Sequence, residues 1–391
     1  MKRLFCGLGV LVFAAALLLP ASLQASTFVF TNNDINGSNS VTAFSVDSTT
    51  GALTKLGTTG TGGNGCGGSG FYASNRIVTS PHGKYLYVAN IGSDSITVFR
   101  VNERTGALTA VGSPVATGNT SGCTGLNGIS LAITPNADFL YAATAHAKNI
   151  RIFSVAWNGT LSPVGGLVSL PRAPDGIKVR PDGRFLAVAL AVSPPGHELA
   201  MFSIEPWGAL TAVPGSPFPD DRVTGVDFNS RGDLLFGGVD NAIGTIVDVF
   251  GVGRNGALTP VTGSPFTFYI GINSDVVLWN PLGNMLFVSN TGSNSLIDFI
   301  VGPKGALTLG ANQPVNLGSK ALAPAGMAVS TIRTPTGGTL TLLYVAVWEY
   351  SQVFVFTVDP DGTLTWVPAS PFATGEGYET GLLSLAVDSF E

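Results

Sequence analysis

The sequence is poor in charge, since Asp, Glu, Lys and Arg together make up 11% of its 391 residues. It carries 19 basic against 24 acidic side chains, a formal net charge of -5. A protein that binds nucleic acid through a broad face needs clustered Lys and Arg to neutralise phosphates. The small number of basic residues therefore argues against nucleic acid as a partner.

Histidine and cysteine are also scarce, with three of each. His82, His146 and His197 fall in predicted turns, and no group of His, Cys and Asp has the spacing of metal ligands. No Gly-x-Ser-x-Gly motif is present, and residues 60–65 fit the dinucleotide-binding glycine pattern without the helix that must follow it. We therefore expect no metal and no cofactor.

Long apolar runs are absent beyond the first 25 residues. Lys2 and Arg3 precede an apolar core at residues 8–19, and Ala25 ends a stretch of small residues. This pattern predicts a cleaved signal peptide over residues 1–25, with an uncleaved anchor as the alternative. The remaining chain, residues 26–391, is expected to be one exported domain, periplasmic or extracellular and monomeric, with no membrane span after signal cleavage.

Glycine, by contrast, is abundant, with 51 residues, and seven of them begin one recurring string. The string reads Gly-Ala-Leu-Thr or a close variant, and successive copies begin between 48 residues (Gly208 to Gly256) and 57 residues (Gly305 to Gly362) apart. A fixed period of this length indicates a propeller or a solenoid. The seven glycines are Gly51, Gly106, Gly159, Gly208, Gly256, Gly305 and Gly362.

One repeat, residues 75–115, is predicted to hold four antiparallel strands joined by short turns. Residues 85–90 are almost wholly apolar, which indicates a strand covered on both faces, whereas residues 95–101 alternate. A Phe recurs on the third strand of every repeat, and we interpret these seven as packing between sheets. They are Phe44, Phe99, Phe153, Phe202, Phe250, Phe299 and Phe356.

The chain ends indicate that the repeats close into a ring. Residues 27–32 match the second strand of a repeat, so the first repeat lacks its innermost strand, and residues 384–388 match the missing strand. The sequence thus predicts an all-β fold, a seven-bladed β-propeller with four antiparallel strands per blade. The C-terminal strand joins the N-terminal blade, which removes exposed sheet edges.

Two cysteines remain after signal cleavage, Cys66 and Cys123, in Gly-rich loops that follow the fourth strands of adjacent blades. An even number of cysteines in an exported chain favours a disulfide. We expect these two residues to be joined, and two free thiols in mobile loops are the alternative.

Polar residues at the entrances of the innermost strands are the best candidates for a site. Aligning the repeats places Asn75, Asp175, Thr224 and Asp275 at equivalent positions, with Arg76 one step further in. These side chains would surround one mouth of the central channel and bind a small polar or cationic ligand, or a metal held by carboxylates. The alternative is that they cap strands and line a water-filled channel.

The repeat resembles that of a known family. Tyr85-Leu86-Tyr87-Val88-Ala89-Asn90, its counterpart at residues 285–290 and the recurring Gly-Ala-Leu-Thr are similar to the YVTN-type repeat of lactonase-family propellers, which include bacterial 6-phosphogluconolactonases. The resemblance covers residues 27–391 and implies a seven-bladed propeller and lactone hydrolysis. In those enzymes, Arg, His and Glu residues gather at the entrances of the inner strands. Of these residues, this sequence keeps an Arg, Arg76, and the other corresponding positions hold Asp175 and Ala189-Leu190.

Two functions follow from these observations. The absent family residues favour an exported propeller that binds a small polar ligand or a protein partner, or serves as a scaffold, without catalysis. The alternative is a lactonase, similar to 6-phosphogluconolactonase, that hydrolyses a sugar lactone. A phosphorylated sugar lactone is a cytoplasmic metabolite, so the predicted export argues against that substrate.

Overall fold

The computed structural model describes residues 26–67, 75–119, 122–123, 128–190, 197–220, 222–280, 282–319, 323–376 and 384–390. The predicted signal peptide, residues 1–25, lies outside this part of the chain. Within it, the strands form seven antiparallel sheets. Three short 3-10 turns, at Ile91–Ser93, Thr291–Ser293 and Pro303–Gly305, are the helical elements of the described residues.

Each sheet is one blade, numbered here along the chain. Blade 1 holds β1 (Ser26–Asn32), β2 (Gly37–Val46) and β3 (Leu53–Gly65). Blade 2 holds β4 (Ile77–Thr79), β5 (Tyr85–Asn90), β6 (Ser95–Val101), β7 (Leu108–Ala110) and β8 (Val115–Ala116). Blade 3 holds β9 (Ile129–Ile133), β10 (Phe139–Thr144), β11 (Asn149–Val155) and β12 (Leu161–Ser169).

The second half of the ring repeats this plan. Blade 4 holds β13 (Ile177–Val179), β14 (Phe185–Leu190), β15 (His197–Ile204), β16 (Leu210–Ala212) and β17 (Phe218–Asp220). Blade 5 holds β18 (Val223–Phe228), β19 (Leu234–Val239), β20 (Thr245–Val252), β21 (Leu258–Pro260) and β22 (Phe266–Phe268). Blade 6 holds β23 (Ser274–Asn280), β24 (Met285–Asn290), β25 (Ser295–Val301), β26 (Leu307–Leu309) and β27 (Val315–Asn316). Blade 7 holds β28 (Pro324–Arg333), β29 (Thr339–Val347), β30 (Gln352–Val358), β31 (Leu364–Trp366) and β32 (Phe372–Ala373), and β33 (Ser384–Phe390) follows.

The predicted closure of the ring is confirmed. The last strand, β33, is the innermost strand of blade 1, whose order is β3-β2-β1-β33. It pairs antiparallel with β1 over seven residues, with Val29 opposite Val387. The first blade is therefore completed by the two ends of the described chain.

Five blades carry a fifth short strand because their outermost strand is interrupted. In blade 5, for example, β21 and β22 both pair with β20, on either side of the break. The recurring Ser-Pro-Phe motif lies at this break, and the Ser264 hydroxyl accepts a 2.9 Å hydrogen bond from the Val249 amide. Ser216 and Ser370 do the same for Met201 and Val355. The motif is structural, since the hydroxyl bonds a strand amide beside the interruption.

The recurring turn glycines are required for two reasons. All seven have a positive φ, for example +82° at Gly159 and +85° at Gly208, and glycine adopts this conformation without steric cost. A Cβ at Gly159 would also lie 2.4 Å from the Tyr85 ring, and one at Gly208 would lie 2.3 Å from Phe139. In six blades the turn therefore packs closely against the second strand of the preceding blade, and in blade 7 Gly362 instead lies against Asp298 of the third strand.

The core lies between the blades. All seven recurring Phe side chains are buried, from 0% exposed at Phe99 to 7% at Phe202, which confirms that they pack between sheets. Clusters join neighbouring blades, as where Tyr87 of blade 2 packs with Leu140 and Phe153 of blade 3. Burying each Phe contributes roughly 2 kcal/mol. No helix within the described residues is long and apolar enough to cross a membrane.

Cys66 and Cys123 form a disulfide in the structure, with Cα atoms 5.3 Å apart. Cys66 follows β3 of blade 1, and Cys123 lies between β8 of blade 2 and β9 of blade 3. The bond ties together loops that are 57 residues apart in sequence.

We expect thiol counting on the denatured, unreduced protein without residues 1–25 to find no reactive thiol. Two reactive thiols would contradict the disulfide. The double variant Cys66→Ser/Cys123→Ser should be less stable by roughly 4 kcal/mol in the chain-entropy model of a loop this long. Its denaturant midpoint, compared with that of the unreduced parent, measures this difference, and the reduced parent should match the variant.

Candidate functional site

The five predicted site residues lie where the innermost strands begin, a rim called here the upper face. At this rim the entrances of neighbouring strands hydrogen-bond to one another. The Asn75 side-chain amide donates to the Ile177 carbonyl of blade 4 at 3.0 Å, and the Asn75 backbone carbonyl accepts from the Leu131 amide at 2.7 Å. Asn75 therefore links the entrances of three blades.

Arg76 is almost fully buried and does not line the channel cavity. Its guanidinium lies 2.5 Å from the carboxylate of Asp34, and both side chains are almost fully buried. Asp34 also accepts a hydrogen bond from the amide of Cys66, so this ion pair lies beside the disulfide. Sequence reasoning missed Asp34, which lies beyond the end of β1 and reaches Arg76 only through the packing of blades 1 and 2.

Asp175 and Thr224 are also buried, at 5% and 8% exposed. The Gly176 amide next to Asp175 donates to the Thr224 carbonyl at 2.8 Å, and the Thr224 hydroxyl donates to the Asp275 carbonyl at 2.9 Å. Burial lowers the pKa of Arg76, and the charges of Asp34 and Asp175 oppose that lowering. At these positions the backbone of Asp175 and Gly176 and the Thr224 hydroxyl bond to neighbouring strands.

Asp275 alone of the five belongs to a group of charged side chains that reaches solvent. It is half-buried and accepts a hydrogen bond from the Thr291 hydroxyl. Arg222 and Asp240 are close enough to influence it electrostatically. These two form an ion pair at 2.9 Å, with the Arg222 side chain 52% exposed. The upper-face cluster is defined here as Asp275, Arg222, Asp240 and Thr291.

One carboxyl group of the cluster, that of Asp275, has a pKa near neutral pH. The pKa of Asp275 is raised to about 7, chiefly by burial; the hydrogen bond from the Thr291 hydroxyl and the Arg222 charge lower it, and the negative charge of Asp240 raises it. A carboxyl with such a pKa exchanges a proton readily at neutral pH. Asp275 can therefore serve as a general base.

The backbone at Arg222 is strained. Its φ is +83°, in the left-handed region that a non-glycine residue rarely adopts. The Asp240 amide donates to the Arg222 carbonyl at 3.2 Å, and the Asp220 carboxylate accepts from the Arg222 amide at 2.7 Å. Such strain is concentrated at functional positions. Arg222 and Asp240 were absent from the sequence prediction, because no spacing pattern connects them.

A second ion pair lies in the neighbouring blade 4. Arg172 and Glu198 are 3.2 Å apart, and both are partly exposed. Among the residues that the structure describes, no three His, Cys, Asp or Glu side chains are grouped so that they could hold a metal ion. His82 and His146 are exposed in turns.

The central channel is a separate feature. It encloses a cavity of about 600 Å³ between the innermost strands, with Asn75 in its wall. The wall is mainly aliphatic, and Lys178 and Asp227 contribute charge to it. Four of the predicted site residues (Arg76, Asp175, Thr224 and Asp275) do not line this cavity.

Comparison with known proteins supports the resemblance found in the repeats. Residues 24–173 match the family model described as "Lactonase, 7-bladed beta-propeller". A curated 6-phosphogluconolactonase of Formosa agariphila is 37% identical over 84 residues, which cover 21% of this chain. The matched segment spans 22% of that relative's length.

Solved structures share the whole fold at low identity. The periplasmic gluconolactonase of Pseudomonas aeruginosa is 18% identical with a TM-score of 0.68, and the match covers 94% of this chain and 99% of that one. A candidate 6-phosphogluconolactonase of Bacteroides fragilis is 19% identical with a TM-score of 0.69, and the match covers 95% and 100%. The seven-bladed propeller expected from the sequence is confirmed, and its residues 24–173 are similar to the lactonase family.

Proposed function

We propose that this lactonase-type propeller hydrolyses a sugar lactone at the upper-face cluster. One observation carries the proposal: Asp275, whose pKa is raised to about 7, lies beside the solvent-exposed guanidinium of Arg222. The match to the lactonase family model supports this reaction over the binding or scaffold function that the sequence alone favoured.

Each group has a role in the reaction. Ionised Asp275 accepts a proton from a water molecule, whose oxygen attacks the lactone carbonyl carbon. The Arg222 guanidinium donates hydrogen bonds to the oxygen that becomes negatively charged in the tetrahedral intermediate. The intermediate then collapses with cleavage of the ring C–O bond, and protonated Asp275 returns its proton to the departing alkoxide oxygen. The product is the open hydroxy acid.

The surroundings suit a hydroxylated substrate. Asp240 and the neighbouring Arg172–Glu198 pair supply charged hydrogen-bonding groups that are partly open to solvent. Export, as the pattern of residues 1–25 indicates, would place the protein among unphosphorylated lactones. The periplasmic location in the name of the similar Pseudomonas aeruginosa protein supports export.

We expect purified protein to hydrolyse glucono-1,5-lactone in a pH-stat, after subtraction of spontaneous hydrolysis. Asp275→Asn should lower kcat/KM at least about 100-fold, because loss of a general base typically costs that much. The rate should rise with pH through about 7 and level off above it, since the base acts only when ionised. Asp182→Asn, in an exposed turn at the opposite rim, is the matched control and should retain full activity.

Three results would contradict the proposal. If folded protein turned over none of a panel of sugar lactones, the result would favour the binding function over hydrolysis. Turnover that survives Asp275→Asn unchanged would mean that the reaction occurs elsewhere. A pH profile with no inflection near 7 would separately exclude Asp275 as the base.

A further inference from the structure

The central channel contains apolar surface that is open to solvent. Val78, Ile133, Leu278 and Val329, from four different innermost strands, line its cavity and are only partly buried. Ser230 and Pro181, from turns at the rim opposite the upper face, line its other end. A cavity of about 600 Å³ with a mainly apolar wall and a few polar groups is typical of small-molecule sites.

The charged groups of the channel have a fixed arrangement. The Asp227 carboxylate is buried and accepts hydrogen bonds from the amides of Phe228, at 2.8 Å, and Trp279, at 3.0 Å. Its Oδ1 atom also lies 2.9 Å from Lys178 Nζ. Two backbone donors and one ammonium group therefore hold this carboxylate in place.

Lys178 retains donor capacity toward the cavity. Its side chain is 41% exposed, whereas that of Asp227 is 6% exposed. An ammonium group carries three N–H donors, and Asp227 is its ion-pair partner within the described chain. Lys178 is also one of the residues that line the cavity, so a ligand there can reach its remaining donors. The cation is thus presented among aliphatic side chains, where charge-assisted hydrogen bonds are strong.

We propose that the lower channel, defined by Lys178, Ser230, Leu278, Ala328 and Val329, binds a monocarboxylic acid with an unbranched apolar chain. The carboxylate would accept hydrogen bonds from the free Lys178 donors, and the chain would cover the exposed aliphatic wall. Apolar contact supplies the driving force, and the single presented cation selects an anionic head group. This site is independent of the reaction proposed for the upper face.

Isothermal titration calorimetry with decanoate, below its micelle concentration, tests the proposal on the protein without residues 1–25. We expect saturable binding of one decanoate per chain. Lys178→Met, which keeps most of the length of the side chain and removes its charge, should weaken decanoate binding at least 10-fold and change decanol binding less than 3-fold. Lys84→Met, in a turn at the same rim but outside the cavity wall, is the matched control and should leave both unchanged.

A channel-filling variant, Ala328→Phe, should abolish binding of both ligands, and thermal melts establish that each variant is folded. The proposal is overturned if decanoate does not bind the parent, if decyltrimethylammonium binds as tightly as decanoate, or if Lys178→Met binds decanoate normally. If Lys178→Met unfolds because its pairing with Asp227 is lost, two measurements still test the proposal. They are ligand binding by Ala328→Phe and the comparison of decanoate with decyltrimethylammonium on the parent. Asp275→Asn should bind decanoate normally, so failure of the hydrolase proposal is distinguishable from failure of this one.

Discussion

Deletion of residues 383–391 is expected to open the ring and abolish the cooperative unfolding transition of the parent. The deletion removes all of β33, which pairs with seven residues of β1 and also contacts β28 and β4 of the neighbouring blades. Blade 1 would lose its innermost strand, and its neighbours would lose the surface that they pack against. A domain has a total stability of about 5–15 kcal/mol, and the loss of a whole inner strand is a large part of it.

The measurement is chemical denaturation followed by circular dichroism. Removal of Glu391 alone, which follows β33, is the matched control and should leave the midpoint unchanged. Val387→Pro is the milder test, because proline removes one strand amide without shortening the chain. A parental midpoint and slope in the 383–391 deletion would contradict closure by this strand.

Arg76→Met is expected to destabilise the protein by about 3–5 kcal/mol, because it leaves a buried carboxylate without its partner. Asp34 is fully buried, and its carboxylate lies 2.5 Å from the Arg76 guanidinium. The pKa of Asp34 is raised to about 7 because the effect of burial exceeds the lowering by the Arg76 charge and the Cys66 amide. Removing Arg76 therefore raises this pKa further.

The sign of the pH dependence follows from this shift. The pKa of this carboxyl is higher in the folded state than its value of 3.8 in the unfolded state. At a pH between these two pKa values, the carboxyl is protonated in the folded protein and ionised in the unfolded protein. Stability then falls as pH rises through that interval. The loss caused by Arg76→Met should therefore be larger at pH 8 than at pH 5.

Denaturant midpoints at the two pH values measure this loss. Arg100→Met, an exposed arginine of β6, is the matched control and should cost little at either pH. The double variant Arg76→Met/Asp34→Asn should recover much of the lost stability, because the uncompensated charge is then gone. A double variant no more stable than Arg76→Met would contradict this explanation and indicate that lost packing dominates.

The candidate site was predictable only in part. Asp275 was placed correctly at a strand entrance by aligning the repeats, but its partners Arg222 and Asp240 belong to loops that have no repeating pattern. Lys178 and Asp227 lie within predicted innermost strands, and nothing in their spacing indicates that they meet. Their ion pair depends on how far apart blades 4 and 5 lie around the axis. The pattern of residues along a strand does not give this distance.

The sequence by itself determined the seven blades, the strand order and the closure of the ring. These features follow from local signals: alternation along a strand, a glycine with positive φ in each hairpin, and a C-terminal segment matching the missing strand. Only the tertiary structure decided which polar side chains meet. Asn75 bonds to a residue 102 positions away, and Arg76 pairs with one 42 positions earlier. A buried polar group must form hydrogen bonds, and here its partners lie on other blades. Which groups are buried depends on how the blades assemble into the ring.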